Sequence, residues 1–444
     1  MFTLGNKMNE SEKIRFAIKE WQDTKLEGIK RRIFNIDLFT KIDHIVDIVG
    51  VRRAGKTYLI YLVIKELEKK YSKDRIIYVN FENKILYPLN VKLLDELLNY
   101  LFEKGVGRAF LFLDEIQNIN GWEKWARSIY DSYKGKIKIV VSGSSSKIIR
   151  KDIATLLTGR HISIKVFPLS FSEFLEFKEI TFGKDDIYSV QKQAVIKSLL
   201  KEYIEFGAFP EIILSDSPYI KTELLRAYYD DILYKDIVDK YGIKEKTVLE
   251  NFVKFLFMNI SGYFSYKRGK EYLDSLGIPT STRTLLKYTS ILEDVFLFFF
   301  VPIFSRKIRD QAKYPKKMYA VDVGLRNVVH PNTEDFGKKA ENVVYLKLRR
   351  QNAEINYWKS KQHEEVDFVV REGLKVRQLI QVCWDISSRE TKEREIKALI
   401  KAAEEFKLKK GLIITGDYEG IETCSGVKIE CIPLWKWLLK WKSV

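Results

Sequence analysis

Gly50-Val51-Arg52-Arg53-Ala54-Gly55-Lys56-Thr57 is a complete G-x-x-x-x-G-K-[ST] string. Its glycines let backbone N–H groups curl around phosphate oxygens with no Cβ in the way. Lys56 is placed to reach the β- and γ-phosphates of a nucleotide, and Thr57 to offer its hydroxyl to magnesium. Gly50, Arg53, Ala54, Gly55 and Tyr58 complete the set expected to touch that nucleotide. Farther along, Phe110-Leu111-Phe112-Leu113-Asp114-Glu115 puts two carboxylates after four apolar residues. Asp114 is suited to hold the metal, and Glu115 to orient and polarise an attacking water. ATP and Mg2+ are therefore the expected cofactors, and ATP hydrolysis the expected chemistry.

Other residues are candidates on weaker grounds. Ser142-Gly143-Ser144-Ser145-Ser146 ends an apolar run, and Ser144 can sense a γ-phosphate there or simply sit in a turn before a helix cap. Arg160, in Leu157-Thr158-Gly159-Arg160, is either a phosphate-facing arginine, in cis or in trans, or an ordinary ion-paired one. Gly207-Ala208-Phe209-Pro210 can bring backbone against an adenine, or merely end a helix. Asn80 and Glu82 follow an apolar run and are candidates on the same logic.

Chemistry of this kind needs a scaffold that aligns strand ends. Apolar runs at 44–49, 75–81, 108–113 and 136–142 read as strands, and 57–70, 91–103 and 121–133 as helices. Their alternation predicts a doubly wound parallel sheet, with ligands at the carboxyl ends of its strands. Residues 12–33 carry helical spacing and predict a helix or helix pair packed on this core. From 170 to 240 the periodicity is helical, broken at Gly207 and Pro210. Residues 246–304 predict three short helices and then an apolar strand at 295–301. Beyond Pro315 a helix, three strands, a helix and two strands are expected.

The chain has 444 residues and 46% hydrophobic residues, enough for several cores. With 77 Lys and Arg against 60 Asp and Glu, the net charge is +17. Such an excess favours contact with a polyanion, or is the lysine-rich surface of a heat-adapted protein. Three cysteines without a C-x-x-C pair, and four histidines, point to neither a disulfide framework nor a zinc site. The polar N-terminal segment does not read as a signal peptide. The apolar run at 295–304 contains Pro302 and is far below the ~20 residues of a spanning helix. A soluble, cytoplasmic protein without a membrane partner is expected.

Taken together, GVRRAGKTYLIY, IIYVNFE, AFLFLDEIQNINGWEKW, VVSGSSSKII, LLTGR, FPLSFSEF and FGAFPEI resemble an archaeal-type ATPase family of the AAA superfamily, related to the STAND signalling ATPases. The resemblance extends through YKDIV, KMYAVDVGLRN, EVDFVV and PLWKWLL. It implies a multidomain α/β protein: an N-terminal helical segment at 1–35 and an ATPase core at 36–166. A helical lid at 167–245, a winged helix at 246–312 and a restriction-endonuclease-like domain at 313–444 would follow. In related ATPases the lid turn touches the nucleotide, which maps here to Gly207 and Pro210.

Between 251 and 317 there are 12 Lys and Arg and 5 Asp and Glu, a local excess of +7. Arg283 and Lys287 lie on the outward side of a helix that Thr280 or Ser281 can cap, as in a DNA-recognition helix, though winged helices also serve in packing and protein contact. DNA is the expected partner, with a protein partner the alternative. Glu341, Asp367 and Gln381 fall where a metal-dependent nuclease of the implied fold places its ligands. Cys383 stands where such an enzyme needs lysine, and Lys359 or Lys361 would have to replace it. The expectation is an ATP-driven switch that binds or senses DNA, with an ATP-regulated nuclease as a further alternative.

Overall fold

Buried apolar strands flanked by amphipathic helices can only be covered on both faces, and the chain between 45 and 165 does this. The computed structural model describes residues 8–26, 28–105, 107–144, 157, 159–331 and 335–439. It divides into two compact units, Met1–Val166 and Phe167–Val444.

In the first unit, β1 (Ile45–Val49), β2 (Ile76–Asn80), β3 (Ala109–Asp114), β4 (Ile137–Gly143) and β5 (His161–Lys165) form one parallel sheet of order β2-β3-β4-β1-β5. The helices are α1 (Glu10–Asp23), α2 (Lys56–Glu68), α3 (Lys92–Glu103) and α4 (Trp122–Tyr133). Helix α1 opens with a capping box in which Asn9 and Glu12 satisfy each other's backbone N–H groups at 2.9 Å. It stops at Asp23, so of the expected helix or helix pair the single helix is the one seen among the described residues. Strand β1 buries Asp47, which is accommodated because Ser163 Oγ donates to it at 2.5 Å and the His161 ring lies 2.8 Å away. Both partners belong to β5, an edge strand that the apolar pattern did not reveal.

The second unit opens with α5 (Phe171–Phe177), α6 (Val190–Phe206) and α7 (Pro218–Asp230). A second group comprises α8 (Lys246–Met258), β6 (Tyr263–Phe264), α9 (Tyr266–Ser275), α10 (Thr282–Asp294), β7 (Phe298–Val301) and β8 (Lys316–Ala320). The three strands form an antiparallel sheet of order β6-β8-β7. A boundary at 312/313 therefore cuts this sheet, because its central strand lies beyond it.

Next come α11 (Val323–Val329), α12 (Phe336–Arg350), β9 (Glu354–Lys359), β10 (Glu365–Glu372) and β11 (Lys375–Cys383). Then follow α13 (Arg389–Phe406), β12 (Lys410–Thr415), β13 (Gly420–Cys424), β14 (Val427–Pro433) and α14 (Leu434–Leu439). Their six strands form a mixed sheet of order β13-β14-β12-β11-β10-β9. Leu379, Leu399, Ala402, Ile413 and Ile429 lie in the core that α13 shares with this sheet.

Candidate functional site

The loop between β1 and α2 is shaped by two glycines. A Cβ on Gly50 would lie 2.0 Å from the Val166 carbonyl oxygen, so no side chain fits there. Gly55 has φ 92° and leads into α2, whose first N–H groups have no side-chain cap. Such an open helix start favours an anion. The buried Lys56 ammonium donates to the Gly50 and Val51 carbonyls, each at 3.2 Å, which keeps it inside the curve of the loop. The Ala54 carbonyl accepts from Arg32 at 2.7 Å, Arg53 holds φ 68°, and Tyr58 is exposed on α2.

Strand β3 delivers Asp114 to the same end of the sheet. Its carboxylate is fully buried and accepts from Thr57 Oγ1 at 2.7 Å, Tyr78 OH at 2.8 Å and Ser142 Oγ. Burial pushes its pKa up, the Ser142 hydrogen bond opposes this, and the neighbouring Glu115 charge adds to it. A hydroxyl and a carboxylate, Thr57 and Asp114, thus meet beside the loop, a donor set suited to a magnesium ion.

Glu115 follows in a left-handed conformation, φ 54°. That is a strained state for a residue with a side chain, and such strain collects at functional positions. Its N–H donates to Ser142 Oγ at 3.3 Å, and Gln117 Nε2 donates to its carboxylate. Ser142 opens the small polar run at the end of β4, whereas Tyr78 and Gln117 were not singled out in the sequence. Tyr78 lies in the middle of β2, paired with Phe112 of β3.

Tyr78→Phe is expected to raise the Mg2+ concentration for half-maximal ATP turnover roughly tenfold, the effect of one hydrogen bond of about 1.4 kcal/mol to a charged group. A magnesium titration of the rate tests this, and an unchanged midpoint would mean that the hydroxyl has no hold on Asp114.

Other expectations resolve differently. Ser144 is buried just after β4, while the serine that touches Asp114 is Ser142. Ser145, Ser146 and Thr158 lie outside the described residues. Asn80 Oδ1 accepts from the Glu82 N–H at 2.8 Å, and Glu82 lies 3.6 Å from Arg52.

Arg160 does not face the phosphate loop of its own chain. Its carbonyl accepts from Ile45 N at the start of β1, whereas the loop follows Val49 at the other end. Five residues of strand separate the two by roughly 16 Å. Its guanidinium pairs with Asp131 at 2.8 Å. The cis reading of Arg160 is corrected on this geometry.

In the second unit, Gly207 has φ 74°, and a Cβ there would lie 1.8 Å from Asp322 Oδ1. The Asp322 carboxylate accepts from Ala208 N and Gly324 N, each at 2.8 Å. Pro210 starts the short helix Pro210–Ile213. A clamp within this unit therefore accounts for the glycine. Arg283 and Lys287 are both exposed on α10, whose start is capped by Ser281 Oγ accepting from Thr284 N at 3.0 Å.

Glu341 on α12 and Asp367 on β10 do come together. Lys317, from β8, lies between them and donates to Glu341 at 3.0 Å and Asp367 at 2.6 Å. The Gln381 amide oxygen accepts from the Asp367 N–H at 3.0 Å, and its Nε2 donates to Glu395 at 2.8 Å. Cys383 Sγ donates to the Asp385 carbonyl at 3.2 Å, and burial pushes its thiol up to about 12. Lys359 lies over the Tyr263 ring at 4.7 Å, so the lysine at this centre is neither Lys359 nor Lys361.

Among the described residues no helix is long and apolar enough to cross a membrane. A family model described as an AAA domain matches residues 43–175. Two models described as domains of unknown function, DUF8612 and DUF4143, match 197–335 and 336–437. An uncharacterized protein of Haemophilus influenzae is 28% identical over 90% of this chain and 96% of its own. Solved structures align loosely. Cdc6p from Pyrobaculum aerophilum is 12% identical, covering 66% of this chain and 86% of its own at a TM-score of 0.27. A STAND protein with a tetratricopeptide repeat sensor from Pyrococcus horikoshii is 12% identical, covering 72% and 46% at 0.28. An uncharacterized protein of Methanocaldococcus jannaschii is 37% identical over 92% of both chains. This chain belongs to the same family as that Methanocaldococcus jannaschii protein, and residues 43–175 match an AAA domain.

Proposed function

We propose that the protein is an ATP-hydrolysing switch whose second unit binds DNA. The observation that carries the ATPase part is the meeting of Thr57 and the buried Asp114 beside the loop, with Glu115 next in the chain. Bound Mg2+ would supply charge to the phosphates. Thr57 and Asp114 would hold it, Lys56 would neutralise the phosphate oxygens, and Glu115 would orient the attacking water. Arg160, at the opposite end of β1, is either an arginine ion-paired to Asp131 or one that acts toward a neighbouring copy.

For DNA, support comes from the order α8-β6-α9-α10-β7-β8 with strand order β6-β8-β7, the arrangement of a winged helix. Arg283 and Lys287 lie one turn apart on α10, and Arg306, Lys307, Arg309 and Lys313 are exposed between β7 and β8. We read α10 as the helix that enters the groove and the basic segment as a phosphate-contacting wing.

The test is affinity for duplex DNA against salt. The Arg283→Ala/Lys287→Ala pair is expected to bind more weakly and to lower the log–log slope by about 1.8, at ~0.9 per phosphate contact. An unchanged slope would remove α10 from the interface. Exposed Leu286, between these two cations, is the feature that suits a protein partner instead. Absence of DNA binding at low salt would turn the assignment that way.

A further inference from the structure

We propose that Lys317 is the built-in cation of the acidic centre in the second unit, and that this centre takes no divalent metal. The inference stands apart from the ATPase and DNA readings.

An ammonium has three N–H donors. Lys317 donates to Asp367 at 2.6 Å and Glu341 at 3.0 Å, and pairs with the Glu365 carboxylate at 2.7 Å. The side chain is 3% exposed, so water does not share the work. Two of the three remaining oxygens are also engaged. Asp367 Oδ2 accepts from Val382 N at 2.8 Å, and Glu365 Oε2 accepts from Tyr263 OH at 2.5 Å. Glu341 Oε1 accepts from Tyr319 OH at 2.8 Å as well. The Gln381 amide oxygen is used by the Asp367 backbone.

A magnesium ion would need oxygens at about 2.0–2.1 Å in a near-octahedral shell. The point where these oxygens converge already holds a nitrogen. The lysine cannot easily swing away, because its backbone is fixed in β8 with Tyr263 on one side and Val301 on the other.

Charge points the same way. Burial alone would lower the lysine pKa, but Asp367 and Glu341 outweigh it and hold the ammonium well above the usual lysine range. Burial and the Asp367 charge push the Glu341 carboxyl up, and the Lys317 charge opposes them. A fixed cation therefore sits among these carboxylates and offsets their charge. The implied nuclease metal therefore does not fit these residues, and the ion cluster ties β8 to α12 and β10 instead.

Two measurements on the full chain test this. The first counts bound Mn2+ by electron paramagnetic resonance without nucleotide. Asp114→Asn, which weakens the loop site, is expected to leave no tight Mn2+ in the protein. A tight site that persists in Asp114→Asn and disappears in Asp114→Asn/Asp367→Asn overturns the proposal. The second uses Lys317→Met, which keeps the stem and removes the charge. Its melting midpoint in EDTA is expected to fall by about 10 °C. Mn2+ should restore at least half of that fall, and should not do so in Lys317→Met/Asp367→Asn. A Lys317→Met chain that melts like the parent, or that melts low or misfolds with no response to Mn2+, counts against the built-in cation.

Discussion

Glu115→Gln is expected to lower ATP turnover roughly 10²- to 10⁴-fold, the usual contribution of a positioned general base. Binding of ATP with Mg2+ should change little, because Thr57 and Asp114 keep the oxygens that hold the metal. The isosteric amide still offers Gln117 an oxygen but cannot draw a proton from water. Lys56→Ala should differ in kind, weakening nucleotide binding itself by removing the cation that the loop carbonyls hold in place. Steady-state turnover with a fluorescent-nucleotide titration separates the two effects. A Glu115→Gln enzyme that turns over at the parent rate would remove this carboxylate from the chemistry.

The largest structural effect is expected at the turn clamped by Asp322. Gly207 has φ 74° and ψ −158°, a region essentially reserved for glycine. Gly207→Ala adds backbone strain and drives a methyl into the Asp322 carboxylate, for a loss of about 3–4 kcal/mol. In a unit of this size that lowers the melting midpoint by roughly 10 °C.

Asp322 also predicts a pH dependence. Burial raises its carboxyl to about 7, against an unfolded value of about 3.9. The folded state therefore binds the proton more tightly. This contribution to stability is complete below about pH 4 and is lost as pH rises through about 7. Asp322→Asn should flatten that slope. It should also lower stability, because one of the two N–H donors, from Ala208 and Gly324, would then face an amide NH2. Melting midpoints from pH 4 to 8 decide it, and parallel slopes for parent and variant would refute the assignment.

How much of this was legible depended on whether the signal was local. Strands β1 to β4 are almost entirely buried, so their apolar runs stand out in the chain. Strand β5 reads His-Ile-Ser-Ile-Lys because it is an edge, and its polar residues answer Asp47 in the neighbouring strand. The phosphate loop was legible because backbone curvature and phosphate charge demand fixed residues at fixed spacing. Asp322 and Lys317 were not, because their partners lie 114 and 50 positions away, at Ala208 and Asp367. Even so, the alternation of Lys317 and Tyr319 in β8 puts both on one face, and both reach Glu341. Reading 316–320 as a strand of the smaller sheet would have exposed that face.

Strand β8 has a consequence for how this chain can be inherited and recombined. Within seven residues, 316–322, the chain supplies the middle of one sheet, the ammonium of the acidic cluster in another, and the carboxylate that grips the turn after α6. Residues 246–312 therefore cannot travel as an exchangeable cassette. A chimera that imported them alone would pair foreign edges with a resident central strand. Drift at either edge has to suit β8, while β8 has to suit two more distant neighbours, so the smallest heritable part of the second unit extends past residue 322.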